Sequence, residues 1–273
     1  MAEQRRDVRD ERGVDEVNEA DDDARDARGA GRREMPDEVA RAWDELVATA
    51  RRTVADGLVV GTSGNVSVRV GDTLLVTPTG VPYDRLTPDD VTGVDLTGRQ
   101  VLGTLRPTSE LPMHLAIHTT AGARADTTAG ARADTTAGAR ADTTAGARAV
   151  VHTHAVHATA VSTLVDELPL IHYMSAALGG PVRVAPYATY GTPELAENML
   201  RALRGRTACL LRNHGTIAYG DSLDEAYDRT TQLEWMCQVW LKASSVPHLT
   251  PHLLTLGQLA ETGERLKGYG QPG

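Results

Sequence analysis

The sequence predicts an α/β protein of the α+β-like kind, in which helices cover a central, mostly antiparallel sheet. Two observations support this fold class. Short segments with alternating apolar and polar residues are joined by tight turns, which is typical of antiparallel hairpins. Longer segments with apolar residues at helical spacing lie before and after them. With 273 residues, 41% of them hydrophobic, the chain can bury one large core, so we expect one domain over residues 36–270.

The first helix is predicted to begin at Pro36, where an acidic first turn precedes a stripe of apolar residues from Val39 to Val54. Gly57 is placed to end it. The period then changes to two in VSVRV, a Gly-Asp pair marks a turn, and TLLVT supplies the return strand. A helical turn near Pro88 and a second hairpin, VTGVDL followed by QVLG, continue this β-rich half.

Helices recur in the second half of the chain. Thr192 and Pro193 are typical of an N-cap followed by a first-turn proline. Ser222 and Glu225 have the spacing of a capping box, which predicts a long helix from there to about Ser244.

Composition restricts the function classes. A net charge of −9 argues against a nucleic-acid partner but leaves room for a local pocket that holds a phosphate. Cys209 and Cys237 make no disulfide framework, and we expect both to be buried free thiols. No apolar run reaches the length of a membrane span, and the charged N-terminus lacks the apolar core of a signal peptide. We therefore expect a cytoplasmic protein with no membrane partner.

Two segments stand apart from the predicted domain. Residues 1–35 are dense in charge and poor in large apolar side chains, so we expect a disordered extension, with a partner-binding acidic tail as the alternative. From Thr119 the octapeptide TTAGARAD occurs three times without change, over residues 119–142, and a fourth partial copy follows. Such identity indicates recent tandem duplication. We expect an exposed loop or a weak helical extension, because a longer loop costs little free energy.

The segment AVVHTHAVHATAV, residues 149–161, is the most informative part of the chain. Because side chains alternate along a strand, His152 and His154 project to the same side and can share a metal ion. His214, in the polar turn of LLRNHG, is a candidate third ligand of a zinc site. The alternative is that the pair consists of half-buried polar residues only. We expect His157, beyond the strand, to pack near the site rather than bind the ion.

Several turn segments could form an anion site. GTSGNVSVR, TPTG and RPTSE bring hydroxyls, an Asn amide, backbone N–H groups and a helix N-terminus. Each segment alone is equally compatible with ordinary turn chemistry.

Taken in order, GTSGNVS, TPTG, TSE, AVVHTHAVHATAV, IHYMSAALGG, APYATYGT and LLRNHG resemble the class II aldolase/adducin family, most closely its L-fuculose-1-phosphate aldolase branch. The resemblance covers roughly residues 37–270, interrupted by the octapeptide insertion. It implies one zinc ion per subunit, bound by His152, His154 and His214, with Glu110 as fourth ligand. It further implies that Glu110 becomes the acid/base when substrate displaces it.

The same resemblance implies roles for further residues. Six of them would hold the substrate phosphate: Gly64, Asn65, Thr79, Gly80, Thr108 and Ser109. Thr108 replaces the serine usual in the aldolase and keeps the hydroxyl. Tyr173 matches a catalytic tyrosine donated across a subunit boundary, and Tyr269 matches one on the C-terminal segment over a shorter stretch. Tyr190 is expected to shape the aldehyde pocket. The family further implies a homo-oligomer, a tetramer.

The implied activity is cleavage of a ketose 1-phosphate, L-fuculose 1-phosphate foremost, to dihydroxyacetone phosphate and an aldehyde, L-lactaldehyde. Two alternatives stay open at this point. A pentulose-5-phosphate 4-epimerase uses similar chemistry on the same scaffold. A non-catalytic interaction module like the adducin head keeps the fold without the metal site.

Overall fold

The computed structural model describes residues 35–125 and 147–268. The helices of these ranges are α1 (Asp37–Ala55), α2 (Leu111–Ala125), α3 (Val156–Leu164), α4 (Pro193–Ala202), α5 (Leu223–Ser244) and α6 (Leu256–Leu266), with a 3₁₀ turn at Tyr173–Ala176. The strands are β1 (Asn65–Val70), β2 (Thr73–Val76), β3 (Gly93–Asp95), β4 (Gln100–Leu102), β5 (Ala149–Thr153), β6 (Val184–Ala185), β7 (Ala208–Leu211) and β8 (Gly215–Gly220).

The strands form a single sheet in the order β4-β3-β2-β1-β5-β8-β7-β6. Every neighbouring pair is antiparallel except β6 and β7, which are parallel. The predicted mostly antiparallel sheet is therefore confirmed. Strand β5 lies in the middle, between β1 and β8, and its register places His152 opposite Asn65 of β1. The centre of the sheet thus brings residues far apart in sequence next to each other.

Helices pack on both faces of the sheet. Val151 of β5 belongs to a large core cluster with residues of α1, α3 and α5, whereas Val150 belongs to a second cluster with residues of α2 and α4. Since successive side chains alternate between faces, His152 lies on the α2 side with Val150. This face holds the candidate site, because Glu110 immediately precedes α2.

The predicted helix boundaries are confirmed with one correction. Thr192 Oγ1 accepts a hydrogen bond from the Leu195 N–H at 3.3 Å, as an N-cap does. At α5, Ser222 Oγ accepts from the Glu225 N–H at 3.1 Å, but the Glu225 carboxylate binds the Asp221 N–H at 2.7 Å rather than that of Ser222. The expected reciprocal capping box is therefore half formed, and the other oxygen of the same carboxylate pairs with Arg229.

Other expectations meet the described ranges only in part. Residues 119–125 of the first octapeptide copy continue α2, in agreement with a helical extension, and residues 126–146 lie outside the described part. The expected disordered extension, residues 1–35, likewise falls outside it except for Met35. Cys209 and Cys237 are buried and free, as expected. Among the described helices, none combines the length and the apolar character that crossing a bilayer requires.

Candidate active site

Strand β5 and the β7–β8 hairpin beside it in the sheet position the three histidines. His152 is on β5, His154 follows the last residue of that strand, and His214 lies in the turn between β7 and β8. The turn is tight: Asn213 has a positive φ of 54°, and a Cβ at Gly215 would lie 2.0 Å from the Thr153 carbonyl oxygen. Only a glycine therefore lets this turn approach β5 closely enough for the rings to meet.

Glu110 completes a compact group with these histidines. One ligand atom from each of the four residues lies within 4.8 Å of all the others. The ring centroids of His152, His154 and His214 are separated by 4.7–4.9 Å. Glu110 Oε2 is 3.0 Å from His152 Nε2, and its Oε1 is 3.1 Å from His214 Nε2. The structure thus brings together all four residues predicted as metal ligands.

The donor atoms of this group fit a divalent metal ion. Buried Glu110 Oε1 has no hydrogen-bond partner among the described residues, although His214 Nε2 is close by. These two atoms are 3.1 Å apart and are not aligned for a hydrogen bond. Such a separation is expected of two ligand atoms that share one metal ion, since neighbouring ligand atoms of tetrahedral zinc lie roughly 3.3 Å apart. Three imidazoles and one carboxylate are also typical ligands of zinc and transition-metal ions, whereas calcium and magnesium ions bind mostly oxygen ligands.

The electrostatics of the group favour an ionised carboxylate. Burial raises the pKa of Glu110, but the attraction of His152 and hydrogen bonding to its ring outweigh burial, and the net shift is downward. Burial, with repulsion from His152 and His214, lowers the pKa of His154 to about 3. A neutral imidazole keeps the lone pair that a metal ligand must offer.

A cavity of about 340 Å³ opens beside these four residues. Its lining includes Glu110, His154 and His214. It also includes all six residues predicted to hold phosphate: Gly64, Asn65, Thr79, Gly80, Thr108 and Ser109. The turn segments GTSGN, TPTG and PTSE are therefore collected around one space next to the candidate metal centre.

The lining of this cavity contains no Lys or Arg among the described residues. Apart from Glu110 and the two histidines, its polar side chains carry hydroxyls and amides, and backbone groups near the start of α2 lie beside them. Thr108 Oγ1 accepts a hydrogen bond from the Glu110 N–H at 3.2 Å, which ties this turn to the carboxylate. Neutral donors beside a helix N-terminus can hold a phosphate without a basic side chain.

Two of the six residues predicted to hold phosphate, Asn65 and Gly64, also have structural contacts outside the cavity. The Asn65 side chain is buried and donates from Nδ2 to Glu110 Oε2 at 2.9 Å, so its amide contacts the carboxylate as well as lining the cavity. The Gly64 backbone has a φ of +80°, and a Cβ there would lie 2.7 Å from the His152 carbonyl oxygen. Any larger residue at position 64 would therefore displace β5 from the cavity.

Of the two tyrosines predicted to be catalytic, only Tyr173 lies within the described residues, and it does not line this cavity within one chain. Tyr173 is 48% exposed and lines a separate groove with His172 and Trp235. Tyr269 lies outside the described residues. His157 stays outside the metal group, as expected: its Nδ1 lies 2.7 Å from Glu234 Oε1.

Some lining residues were not predicted. Tyr187 borders the cavity beside the expected Tyr190, and both side chains are well exposed, at 60% and 64%. Asn213 borders it from the turn that carries His214. The sequence offered a signal for each, since Tyr187 shares the segment APYATYGT with Tyr190 and Asn213 precedes His214.

Comparison with known proteins agrees with this site. Residues 44–241 match the family model of the class II aldolase and adducin N-terminal domain. The L-fuculose phosphate aldolase of Escherichia coli is 38% identical over 227 residues, which are 83% of this chain and 94% of that protein. The 5-methylthioribulose-1-phosphate/5-deoxyribulose-1-phosphate aldolase of Rhodospirillum rubrum is 34% identical over 226 residues, covering 82% of this chain and 90% of that protein.

Solved structures give the same assignment. A structure of an L-fuculose 1-phosphate aldolase superposes with a TM-score of 0.71 at 31% identity, covering 85% of this chain and 98% of that one. The L-fuculose-1-phosphate aldolase of Thermus thermophilus superposes with a TM-score of 0.62 at 30% identity, covering 78% of this chain and all of that one, at 100%. The chain therefore belongs to the class II aldolase and adducin family, and it is a metal-dependent aldolase.

Proposed function

We propose that this protein is a zinc-dependent aldolase that cleaves L-fuculose 1-phosphate to dihydroxyacetone phosphate and L-lactaldehyde. The observation that supports it most is the position of the Glu110 carboxylate. It stands among three imidazoles at one side of a cavity that is lined by small neutral donors. A phosphate at the donors and a reacting carbon near Glu110 would fit the two ends of one small sugar phosphate.

Zinc is the proposed ion because the ligand set is rich in nitrogen. His152, His154 and His214 would hold it, and Glu110 would occupy the position that substrate takes over. A bound divalent cation supplies positive charge that stabilises the negative charge developing on the substrate oxygens during cleavage. Since the imidazole ligands are neutral, they leave that charge undiminished.

The protein's own groups then move the protons. Once substrate has displaced Glu110, its carboxylate is proposed to take up the proton that the Tyr173 hydroxyl gives up. The Tyr173 phenolate then takes the proton from the hydroxyl that becomes the aldehyde oxygen, and the carbon–carbon bond breaks. The electron pair of that bond passes to the carbon beside the carbonyl, and Glu110 delivers its proton there, so both side chains return to their starting states. In the direction of synthesis Glu110 removes that proton. No lysine is needed for a Schiff base, and the described lining of the cavity holds none.

The role of Tyr173 requires a second subunit. Its side chain is exposed on a groove separate from the cavity, so we propose that it completes the cavity of a neighbouring copy. Tyr269 is proposed to act beside it. A homotetramer, as the family resemblance implies, would bring such parts together.

A second substrate of the same chemical class is a candidate. The relative from Rhodospirillum rubrum acts on 5-methylthioribulose 1-phosphate and 5-deoxyribulose 1-phosphate, as its name states. Tyr187 and Tyr190 place apolar rings at the cavity, where the end of the sugar distant from its phosphate would lie. Rings there would accept a methyl or methylthio end as readily as the methyl group of L-lactaldehyde.

A substrate panel tests the proposal. The zinc-loaded protein is incubated with L-fuculose 1-phosphate, 5-deoxyribulose 1-phosphate, 5-methylthioribulose 1-phosphate and L-ribulose 5-phosphate. Dihydroxyacetone phosphate is measured in every reaction, and the 4-epimer is measured in the reaction with L-ribulose 5-phosphate. We expect dihydroxyacetone phosphate from L-fuculose 1-phosphate with the highest kcat/KM. A higher kcat/KM for 5-deoxyribulose 1-phosphate or 5-methylthioribulose 1-phosphate would change the proposed substrate but leave the proposed aldol cleavage in place. Epimerisation of the 5-phosphate without cleavage, or no turnover at all, would refute the aldolase assignment.

A further inference from the structure

A chain of buried polar side chains runs from Glu110 into the space between α2 and the sheet. Asn65 Nδ2 is 2.9 Å from Glu110 Oε2, and Asn65 Oδ1 is 2.5 Å from His114 Nε2. Ser67 Oγ lies 2.7 Å from His114 Nδ1 and 3.0 Å from His118 Nε2. We name Asn65, His114, Ser67 and His118 the buried relay; each is at most 4% exposed.

The regular spacing of these residues places each of two rows on one face. Glu110, His114 and His118 follow each other at intervals of four, so they share one face of the helical segment. Asn65 and Ser67 are two apart on β1 and therefore point to the same face of the sheet. The two rows lie against each other where α2 covers that face.

The hydrogen bonds of the relay have one consistent direction. An ionised Glu110 can only accept, so Asn65 donates to it through Nδ2 and must accept from His114 through Oδ1. His114 therefore carries its hydrogen on Nε2, and a neutral ring then accepts at Nδ1 from the Ser67 hydroxyl. Ser67, having donated its only hydrogen, accepts from His118 Nε2.

The neutral state that this direction requires agrees with the surroundings. Burial lowers the pKa of His114 to about 3, and repulsion from His118 and His152 adds to the shift. The pKa of His118 is lowered to about 4, chiefly by burial. Both rings are therefore neutral at pH 7, and each can have one nitrogen that donates and one that accepts.

The two oxygens of Glu110 consequently differ. Oε2 accepts from Asn65, whereas Oε1 has no hydrogen-bond partner among the described residues. We propose that Ser67, His114 and His118 are positioning residues that act through Asn65. They fix Oε2 as an acceptor and so leave Oε1 as the oxygen that exchanges a proton with the substrate carbon. This inference rests on the proposed function for the role of Glu110 as acid/base.

The alternative is that the relay only satisfies buried polar groups and adds stability. The two roles differ in what a substitution changes. A positioning relay affects kcat, because the carboxylate is misaligned, and leaves KM and metal content as they are. A structural relay affects the free energy of unfolding and leaves the turnover of the folded protein unchanged.

Ser67→Ala is the first test, since it removes the hydroxyl with little change in volume. In the zinc-loaded protein we expect kcat to fall about 10- to 100-fold with KM and zinc content unchanged. Thr230→Val, which removes a buried hydroxyl on α5, is the matched control and should retain wild-type kcat. Wild-type kcat in folded Ser67→Ala protein would overturn the proposal.

A pair of variants at His118 keeps the test decisive if Ser67→Ala fails to fold. His118→Gln retains an N–H donor for Ser67 and should keep more of the wild-type kcat than His118→Leu, which has none. Equal kcat values for the two folded variants would contradict the relay. A difference between them in kcat is not expected from packing alone.

The nitrogen shifts of the imidazole rings supply a readout that needs no turnover. NMR of protein labelled with ¹⁵N-histidine should show His114 as the neutral Nε2–H tautomer, with assignment from a His114→Gln sample. A cationic ring, or hydrogen on Nδ1, would overturn the inferred direction.

The Glu110→Gln variant distinguishes failure of the proposed function from failure of the relay. If this variant stays active, the acid/base role of Glu110 and with it the proposed function fail. If it is inactive while Ser67→Ala is normal, only the relay fails.

Discussion

The Nε2 atoms of His152 and His154 lie 3.0 Å apart, on rings inclined by 72°. The orientation of His152 follows from its other nitrogen, which lies 2.7 Å from the Thr216 carbonyl oxygen and must donate to it. When it binds a metal ion, His152 must be neutral, and the lone pair of its Nε2 is then directed at its neighbour. Two such lone pairs repel each other at this distance unless a cation lies between them. Through the Thr216 carbonyl, β8 therefore orients a predicted metal ligand.

Replacement of one ligand tests this arrangement. His154→Ala should remove most of the bound zinc and, with it, the cleavage activity, because the remaining ligands hold the ion more weakly. Metal analysis of the purified protein and the aldolase assay measure the two effects. His157→Ala is the matched control, since this ring is three residues away, binds Glu234 and lies outside the group of ligands. Full zinc content in His154→Ala protein would exclude His154 as a ligand.

Glu110→Gln separates acid/base chemistry from binding. The amide keeps the size of the side chain but cannot act as an acid or a base near neutral pH, so we expect kcat to fall by about 10²- to 10⁴-fold. The affinity for substrate, measured by calorimetry, should change little because the phosphate donors are untouched. Zinc content should be followed in parallel, since Glu110 also belongs to the ligand group. Near-normal turnover would exclude Glu110 from the mechanism.

The predicted ligand group of Glu110 and three histidines could be found in the sequence because each histidine lies in a short, recognisable motif. The His-x-His pair and the turn after LLRN each place a histidine at the end of an apolar strand, and the family resemblance supplied Glu110. The strand itself ends at Thr153, one residue before His154, and the two rings still converge. Here the pattern predicted the geometry, although the boundary differs by a residue.

The buried relay was not predictable in the same way. The intervals of four on α2 and of two on β1 are visible in the sequence, but they do not tell which helix face meets which strand. That choice depends on the pairing of β1 with β5, which sets Asn65 opposite His152.

The apolar stripe of α1 was predicted to include Val54. This prediction is wrong at the end of the helix, where Val54 is 41% exposed and Thr53 is buried instead. The Thr53 hydroxyl can be buried because it donates to the Ala50 carbonyl, a contact that the apolar pattern does not reveal.

Complementation between subunits tests the role of Tyr173. If its hydroxyl acts in a neighbour's cavity, His154→Ala and Tyr173→Phe homo-oligomers should each be nearly inactive, and mixed oligomers should regain activity. Recovery is expected because some interfaces then combine an intact metal site with an intact tyrosine. The mixture is prepared by reversible dissociation, and the assay follows dihydroxyacetone phosphate. An active monomer in sedimentation experiments would exclude this arrangement.

The depressed pKa of His118 predicts acid sensitivity. Its folded-state pKa is about 4, lowered by burial with a smaller effect of Arg69. The unfolded value is about 6.5. Between these values the unfolded chain binds the extra proton, so stability is lost as pH falls through this window. The loss reaches about 2 kcal/mol at pH 5 and about 3 kcal/mol below pH 4.

Denaturant titrations at pH 7 and pH 5 measure this effect. In His118→Gln the free energy of unfolding should fall less between these two pH values than in the wild type, by about 2 kcal/mol. His252→Gln changes an exposed histidine and should retain the pH dependence of the wild type. An equal fall for His118→Gln and the wild type would contradict the buried, neutral state of His118.

The last prediction concerns the octapeptide repeat. Deletion of residues 119–142 joins His118 to the fourth, partial copy, so the residues that follow His118 keep the same order, TTAGARA. Thr119 and Thr120 bond to the carbonyls of Leu115 and Ala116, at 2.7 Å each, and the corresponding threonines of the retained copy can replace them. The end of α2 beside the relay should therefore be preserved.

The shortened protein should bind the same amount of zinc, keep its oligomeric state and cleave substrate at the wild-type rate. The thermodynamic effect should be small, because each doubling of a flexible loop costs only about 0.6 kcal/mol. We also expect slower proteolysis, since the deletion removes Arg124, Arg132 and Arg140, three sites at which trypsin cleaves. Loss of activity in a folded protein would show that the repeat is needed for the reaction. Loss of the fold would show that it packs against the domain, and His118 would then lose the helix end that positions it.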